Sequence, residues 1–379
     1  MQVCIMEHKE RNPFYFGGTV SNEDFCNREK ELEELKRDVF SGINILLYSP
    51  RRFGKSSLLL RLKEELEREK VKVIFLDLFP VIDEKDFINR YFNEIVKTLV
   101  SKKEKVIQSL KELASLNFSI NSTLKPDGSI TFSVSFSPKE KKTVLKEILE
   151  IPFLYATKNN TNVAVIFDEF QEVENLGLEK EIRTVIQNHG RNVSYLFSGS
   201  KKSILTQIFS DKSRPFYKSV KKFPLKEIPL EEWIPFIQNK FKKTGKEIDK
   251  EIIKEVFSIS RGFPYYIQHI CYVLWEVSKE KVKKEDLDYA INLVLEREED
   301  TFWEEWSNLP PTQKKALKII TYTNGKNIYS KDVLFEFEIT ASQLKRAVEQ
   351  LLKKDIITKN KDVYQIIDPI MELWIKRNF

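Results

Sequence analysis

The stretch NILLYSPRRFGKSSLLLR, residues 44–61, passes from an apolar strand through a loop closing on Gly54-Lys55-Ser56 into a leucine-rich helix. That order is the shape of a phosphate-binding loop: N–H groups at a helix start cradle phosphates, a lysine reaches the outer ones, and the next hydroxyl coordinates Mg²⁺. The pattern G-x-x-x-x-G-K-[ST] puts its first glycine at position 49, where this chain has Ser49. Pro50 fixes its own φ and stiffens the approach, so the loop can reach its shape with serine there. A basic surface turn is the bland alternative. The strand, loop and helix in the required order speak against it.

A second motif stands about 110 residues on. Val163-Ala-Val-Ile-Phe167 reads as a strand buried on both faces that delivers Asp168-Glu169 at its carboxyl end. Ligands of open parallel sheets bind at such ends. There Asp168 can hold Mg²⁺ while Glu169 orients and deprotonates a water. Further strands are expected at Lys72–Phe79, Val193–Ser198 and Phe223–Pro229, separated by helices. Ser198-Gly199-Ser200 ends one of them, where a hydroxyl can contact a γ-phosphate or the attacking water; an ordinary strand-ending turn explains it nearly as well.

At 379 residues the chain is long enough for two or three domains. The first twenty residues are polar, and no apolar run approaches the roughly 20 residues that span a bilayer, so a cytoplasmic protein without membrane association is expected. Cys4, Cys26 and Cys271 are far apart and suit reduced thiols; with His8, His189 and His269 equally scattered, no zinc site is expected. The net charge is +6, and residues 201–225 carry Lys201, Lys202, Lys212, Arg214, Lys218, Lys221 and Lys222 against Asp211 alone. Such a run serves phosphates or is a solvated basic face.

Beyond the sheet the pattern turns helical. Glu231–Lys243, Lys250–Ser260, Pro264–Ser278 and Lys284–Trp306 carry apolar residues at three- and four-residue steps and are expected to form a lid, with Phe302, Trp303 and Trp306 packing as core. The last 70 residues read as a winged helix-turn-helix: helices at Thr312–Thr321, Ser330–Phe337 and Thr340–Lys354, then a hairpin of Ile356–Thr358 and Val363–Ile366. Leu344, Ala347, Val348, Leu351 and Leu352 would be buried in the third helix. Gln343, Lys345, Arg346, Gln350, Lys353 and Lys354 would face outward, and Gln343, Lys345, Arg346 and Lys353, with Lys361 of the wing, are the candidate duplex-DNA contacts. Acidic neighbours and the domain's modest charge leave a packing module equally open. Residues 116–137 alternate around Pro126-Asp127-Gly128 as a hairpin whose Ile130, Phe132, Val134 and Phe136 share one face and need a surface to cover.

These residues together resemble the AAA+/STAND branch of P-loop ATPases, in particular the archaeal-type ATPases, and more distantly origin-recognition initiators. Phe25-Cys-Asn-Arg28-Glu29 is similar to the family's F-x-G-R-E lead into the adenine pocket, with Asn27 for glycine. Ser49-Pro-Arg-Arg-Phe-Gly-Lys-Ser-Ser57 is similar to its G-P-R-R-x-G-K-T-S loop. Val165-Ile-Phe-Asp168-Glu169-Phe-Gln171 matches the second nucleotide motif and Phe197-Ser-Gly-Ser200 the strand-end sensor. Arg214-Pro-Phe-Tyr217 resembles a P-[FL]-Y-G-R stretch holding a phosphate-sensing arginine, although Lys218-Ser219-Val220 follows here. Gly262-Phe-Pro264 resembles the start of the STAND lid, whose proline packs near the nucleotide, and Arg261 precedes it. Asp368-Pro369-Ile370 resembles the segment that closes the family's chains.

The resemblance implies an α/β P-loop sheet of the additional-strand type with a helical lid and a C-terminal winged helix: core 1–228 with the hairpin insertion, lid 229–306, winged helix 307–379. It implies Mg-dependent ATP hydrolysis driving a switch. The nucleotide would meet Arg28, Ser49, Pro50, Arg51, Arg52, Phe53, Gly54, Lys55, Ser56, Ser57 and Pro264; Ser56 and Asp168 would hold Mg²⁺; Glu169 would activate water, with Ser198 as sensor and Arg214 as a further phosphate-sensing residue. A slow or non-hydrolysing ATP-dependent scaffold, with a protein partner or a second copy, and a DNA-binding initiator or regulator are the rival readings. A metabolite kinase is disfavoured by the lid and the winged helix.

Overall fold

The structure, a computed structural model, describes residues 11–20, 22–100, 118–124, 126 and 130–379. Cys4, His8 and the turn residues Asp127 and Gly128 lie outside the described residues. The chain packs as two compact units. One holds Arg28–Ser49 and Leu58–Leu225; the other holds Pro50–Ser57, Lys226–Phe379 and the described residues before Arg28.

The first unit is built on a five-stranded parallel sheet: β1 (Ile45–Tyr48), β2 (Lys72–Asp77), β5 (Val163–Asp168), β6 (Val193–Gly199) and β7 (Lys221–Pro224), in the order β2-β5-β6-β1-β7. β6 therefore stands between β1 and β5, which is the additional-strand arrangement. All six residues of β5 and all seven of β6 are buried, as central parallel strands covered on both faces must be. Their register places Tyr48 beside Gly199, Phe167 beside Phe197, and Asp77 beside Asp168. The carboxyl ends of β1, β5, β6 and β2 consequently share one edge of the sheet.

The helix Glu84–Leu99 starts at Asp83, whose carboxylate accepts the Asp86 N–H at 2.8 Å. Its apolar stripe, Phe87, Ile88, Tyr91, Phe92, Ile95, Val96 and Leu99, is buried against the sheet, and Tyr91 and Phe87 meet the Phe167 ring at 5.4 and 6.2 Å. The hairpin of β3 (Ser119–Leu124) and β4 (Ile130–Ser135) covers the same core. Phe132 and Val134 are buried, Ile130 and Phe136 half-buried. Asn93 and Asn89 of the helix accept the Phe132 and Val134 N–H groups at 2.8 Å each. The surface that the apolar face of β4 needs is thus this unit's own core.

Two strands of this sheet differ from their sequence readings by two residues or more. β7 spans Lys221–Pro224 because its partner β1 ends at Tyr48, whose carbonyl takes the last N–H, from Leu225, at 3.0 Å. β2 stops at Asp77 because its carboxylate accepts the Phe79 N–H at 2.9 Å and turns the chain.

In the second unit the helices Leu230–Lys243, Lys250–Ser260, Pro264–Val277 and Lys284–Ser307 lie close to the expected bounds. The winged helix follows: Pro311–Tyr322, Lys331–Glu336, Ala341–Lys353, then β8 (Ile357–Asn360) antiparallel to β9 (Val363–Ile366), and the closing helix Pro369–Asn378. Ser330 and Thr340 cap the second and third of these helices, Thr340 in a capping box with Gln343. Phe302, Trp303 and Trp306 pack with Trp374 and Phe379, Trp306 stacking on Phe379 at 4.7 Å and Trp303 meeting Trp374 edge-on at 4.9 Å. The acidic connector therefore spends its aromatic face on docking the closing helix.

Candidate nucleotide site

At the carboxyl edge of the sheet, Asp168 is buried and Ser198 fully so. The Ser198 hydroxyl donates to Asp168 Oδ1 at 2.5 Å, and the Glu169 N–H reaches the same oxygen at 2.9 Å. Glu169 sits in the left-handed region, φ 50°, which swings its side chain out of the strand's alternation. Its Oε2 accepts from the Gln171 amide and, at 3.0 Å, from the Ser200 hydroxyl. The geometry thus brings together Asp168 with Ser198, and Glu169 with Gln171 and Ser200. Asp168 fits a hard cation: a buried carboxylate oriented by a hydroxyl is a suitable oxygen ligand, and Mg²⁺ takes only one or two protein oxygens beside substrate phosphates. Among the described residues no group of three or more His, Cys, Asp or Glu is placed to hold a metal ion.

The loop after β1 leaves from this edge at Ser49. Ser49 is buried and is not among the residues of positive φ, so its backbone does not need glycine. The left-handed positions are Arg52, φ 64°, and Gly54, φ 82°, and the helix Lys55–Arg68 begins directly after them. Among the described residues a Cβ on Gly54 would meet only Pro264 Cγ, at 3.9 Å. That leaves the backbone open to close approach by a ligand, and it places Pro264 beside the loop. Phe53 is buried edge-on against Phe263 at 5.0 Å, Lys55 is buried, and Ser57 Oγ accepts the Val20 N–H at 3.1 Å. Arg51 is exposed.

Arg52 points to the lid and the winged helix. Its Nη1 donates to Tyr266 Oη at 2.5 Å and Glu298 Oε2 at 2.9 Å, stands 3.7 Å from Asp368 Oδ2, and its guanidinium lies 4.6 Å above the Tyr265 ring. Tyr265 donates to Glu298 Oε1 at 2.8 Å and Tyr266 to Asp368 Oδ2 at 2.5 Å. Burial alone would lower the Arg52 pKa, but the charges around Tyr266, Glu298 and Asp368 outweigh it and raise it; Tyr266 is raised by burial and then by Asp368, and stays a donor. Arg261 pairs with Glu372 of the closing helix at 3.4 Å.

The basic run is largely spent within its own unit. Lys201 meets Glu172 at 3.5 Å, Lys221 meets Glu34 and Asp38 at 2.8 and 2.5 Å, and Lys222 bonds Ser210 at 2.7 Å. Arg214 holds Glu174 and Glu179, the latter at 2.5 Å. Arg28 is buried at φ 86°, paired with Glu31 at 2.8 Å, after Asn27 at φ 51°, where asparagine tolerates a left-handed turn. On the third helix of the winged domain Gln343, Lys345, Arg346, Gln350 and Lys353 are exposed, as is Lys361 on the wing.

Sequence reasoning placed Gln171 in the second nucleotide motif and Asp368 in the closing segment, but gave neither of them, nor Tyr266 or Glu298, an individual role at the site. Glu298 had a signal: it falls in the apolar stripe of Leu287, Ala290, Val294, Leu295 and Phe302, and a carboxylate there must have a partner.

The parallel sheet, with β6 between β1 and β5, and a glycine–lysine–serine loop opening a helix define a P-loop ATPase with an appended winged helix. The chain belongs to the family described as the ATPase domain predominantly from Archaea, whose model matches residues 25–270; a second model, "Probable winged helix domain", matches residues 300–377. Among solved structures, the Walker-type ATPase of Pyrococcus abyssi is 17% identical with a TM-score of 0.69, over 96% of this chain and 99% of that one. The Orc2 protein of Aeropyrum pernix, in ADPNP–ADP complexes, is 12% identical with a TM-score of 0.53, over 93% and 95%. Comparison with curated proteins found no match. No described helix is long and apolar enough to cross a membrane.

Proposed function

We propose that this ATPase works as a Mg²⁺-dependent switch in which the state of the phosphate loop is read by the lid and the winged helix. The observation that carries the reading is Arg52, a loop residue whose side chain is engaged by Tyr266 and Glu298 of the lid and faces Asp368 of the winged helix. Lys55 and the loop amides would hold the β- and γ-phosphates, with Arg28, Arg51, Phe53, Ser57 and Pro264 contributing to nucleotide binding. Ser56 and Asp168 would hold Mg²⁺, which neutralises phosphate charge when bound. Glu169 would orient a water for in-line attack and take its proton, and Ser198 fixes the Asp168 carboxylate. ATP and ADP must contact the two positions of the switch differently, since equal affinity for both would shift nothing. Direct binding and turnover assays test this: Lys55→Ala should lose ATP binding, and Glu169→Gln should bind ATP without turning it over. Parental turnover in both variants would refute it.

A second reading, duplex DNA association, is favoured by the exposed polar and basic face of the helix Ala341–Lys353.

A further inference from the structure

We infer that Gln171 is a positioning residue for ATP hydrolysis, holding Glu169 in place; the inference rests on Glu169 being the residue that activates water. Gln171 is almost wholly buried. A carboxylate can only accept, so the amide presents Nε2 to Glu169 Oε2. That choice leaves Gln171 Oε1 buried without a hydrogen-bond partner among the described residues. An orphaned buried acceptor is costly, so a glutamine that served packing alone would be better replaced by an apolar side chain of the same shape. The cost is met where the amide N–H is needed.

Gly199, the last residue of β6, supplies the space. A Cβ there would lie 2.1 Å from Gln171 Oε1 and 3.0 Å from Leu205 Cδ1. Its φ is not in the left-handed region, so the backbone does not call for glycine; the Gln171 amide does. The hydroxyl of Ser200, the residue after Gly199, donates to the same Glu169 oxygen at 3.0 Å. Glu169 itself leaves the strand at positive φ, off the regular ladder, and its carboxylate accepts from both Gln171 and Ser200. Activating a water needs that carboxylate in one orientation, because proton transfer falls off steeply with misplacement.

Steady-state kinetics on the full chain test this with Gln171→Met, which keeps length and apolar volume but has no donor, and with Gly199→Ala, which pushes the amide aside. Each should lower kcat about tenfold or more while the KM for ATP stays within about twofold, with the melting temperature of Gln171→Met at the parent value. Glu169→Gln is run beside them. If Glu169→Gln abolishes turnover while Gln171→Met keeps the parent kcat, the positioning role is wrong. If Glu169→Gln itself turns over normally, the assignment of Glu169 falls and this inference with it.

Discussion

Tyr266 donates its phenolic hydrogen to Asp368 at 2.5 Å while its oxygen accepts from Arg52 at the same distance. One hydroxyl thereby joins the phosphate loop to the residue that starts the closing helix, since Asp368 also accepts the Ile370 and Met371 N–H groups at 2.9 and 3.0 Å. Asp368→Asn keeps an acceptor for that cap but removes the charge. Losing about 1–2 kcal/mol from this cluster should speed hydrogen exchange in Pro369–Asn378 roughly 5- to 30-fold. Because coupling is reciprocal, nucleotide affinity should shift by the factor by which nucleotide shifts that opening. Unchanged exchange in the variant would remove the latch.

His269 makes stability depend on pH. It is buried, stacks on Phe16 at 3.9 Å, and neither ring nitrogen has a hydrogen-bond partner among the described residues. Burial, then Arg297 and Arg52, lowers its pKa to about 4; Glu298 Oε1, 3.7 Å from Nδ1, is already engaged by Tyr265 and does not reverse this. Between about pH 6.5 and 4 the unfolded chain binds a proton that the folded chain does not, so stability falls as pH falls through that window, by up to roughly 3 kcal/mol. Denaturant midpoints of the parent and His269→Phe should diverge below pH 6.5; parallel curves would place the titration elsewhere.

Gly325 holds the wing. At φ 73° an added Cβ would sit 1.7 Å from the Tyr364 carbonyl oxygen, and the Tyr364 N–H bonds Gly325 O at 3.0 Å. Gly325→Ala should cost roughly 2–4 kcal/mol, read as a lowered melting temperature.

If the winged helix contacts duplex DNA, affinity should fall with salt, and charge reversal at Lys345 and Arg346 should flatten that slope and weaken binding across sequences. Binding unaffected by the reversal would favour the domain as a packing module.

Much of the fold is legible in the sequence. The β-branched run ending in Asp168 reads as a buried strand and is one, and the period of the third winged helix told its inward face: Leu344, Ala347, Val348 and Leu351 are buried, while Leu352, expected with them, is half-buried at the edge of that face. Ser49, the missing glycine, is explained only by its backbone: the positive φ values fall at Arg52 and Gly54. The basic run looked like one field in sequence, yet Lys201, Arg214 and Lys221 meet carboxylates brought from Glu172, Glu174, Glu179, Glu34 and Asp38 by the fold. The Arg52 cluster as a whole was not readable: its partners lie more than 200 positions away, Asp368 has an ordinary role as a cap and the tyrosines as core, and Glu298, although marked by its place in an apolar stripe, does not name its partner.

Whether the winged helix reads the nucleotide at the phosphate loop is decided by amide hydrogen exchange in Pro369–Asn378 with ATP and with ADP bound, using Glu169→Gln to prevent turnover. Protection should differ between the two states, and the difference should be lost in Arg52→Ala. Equal protection with both nucleotides, at saturation of each, would contradict the switch.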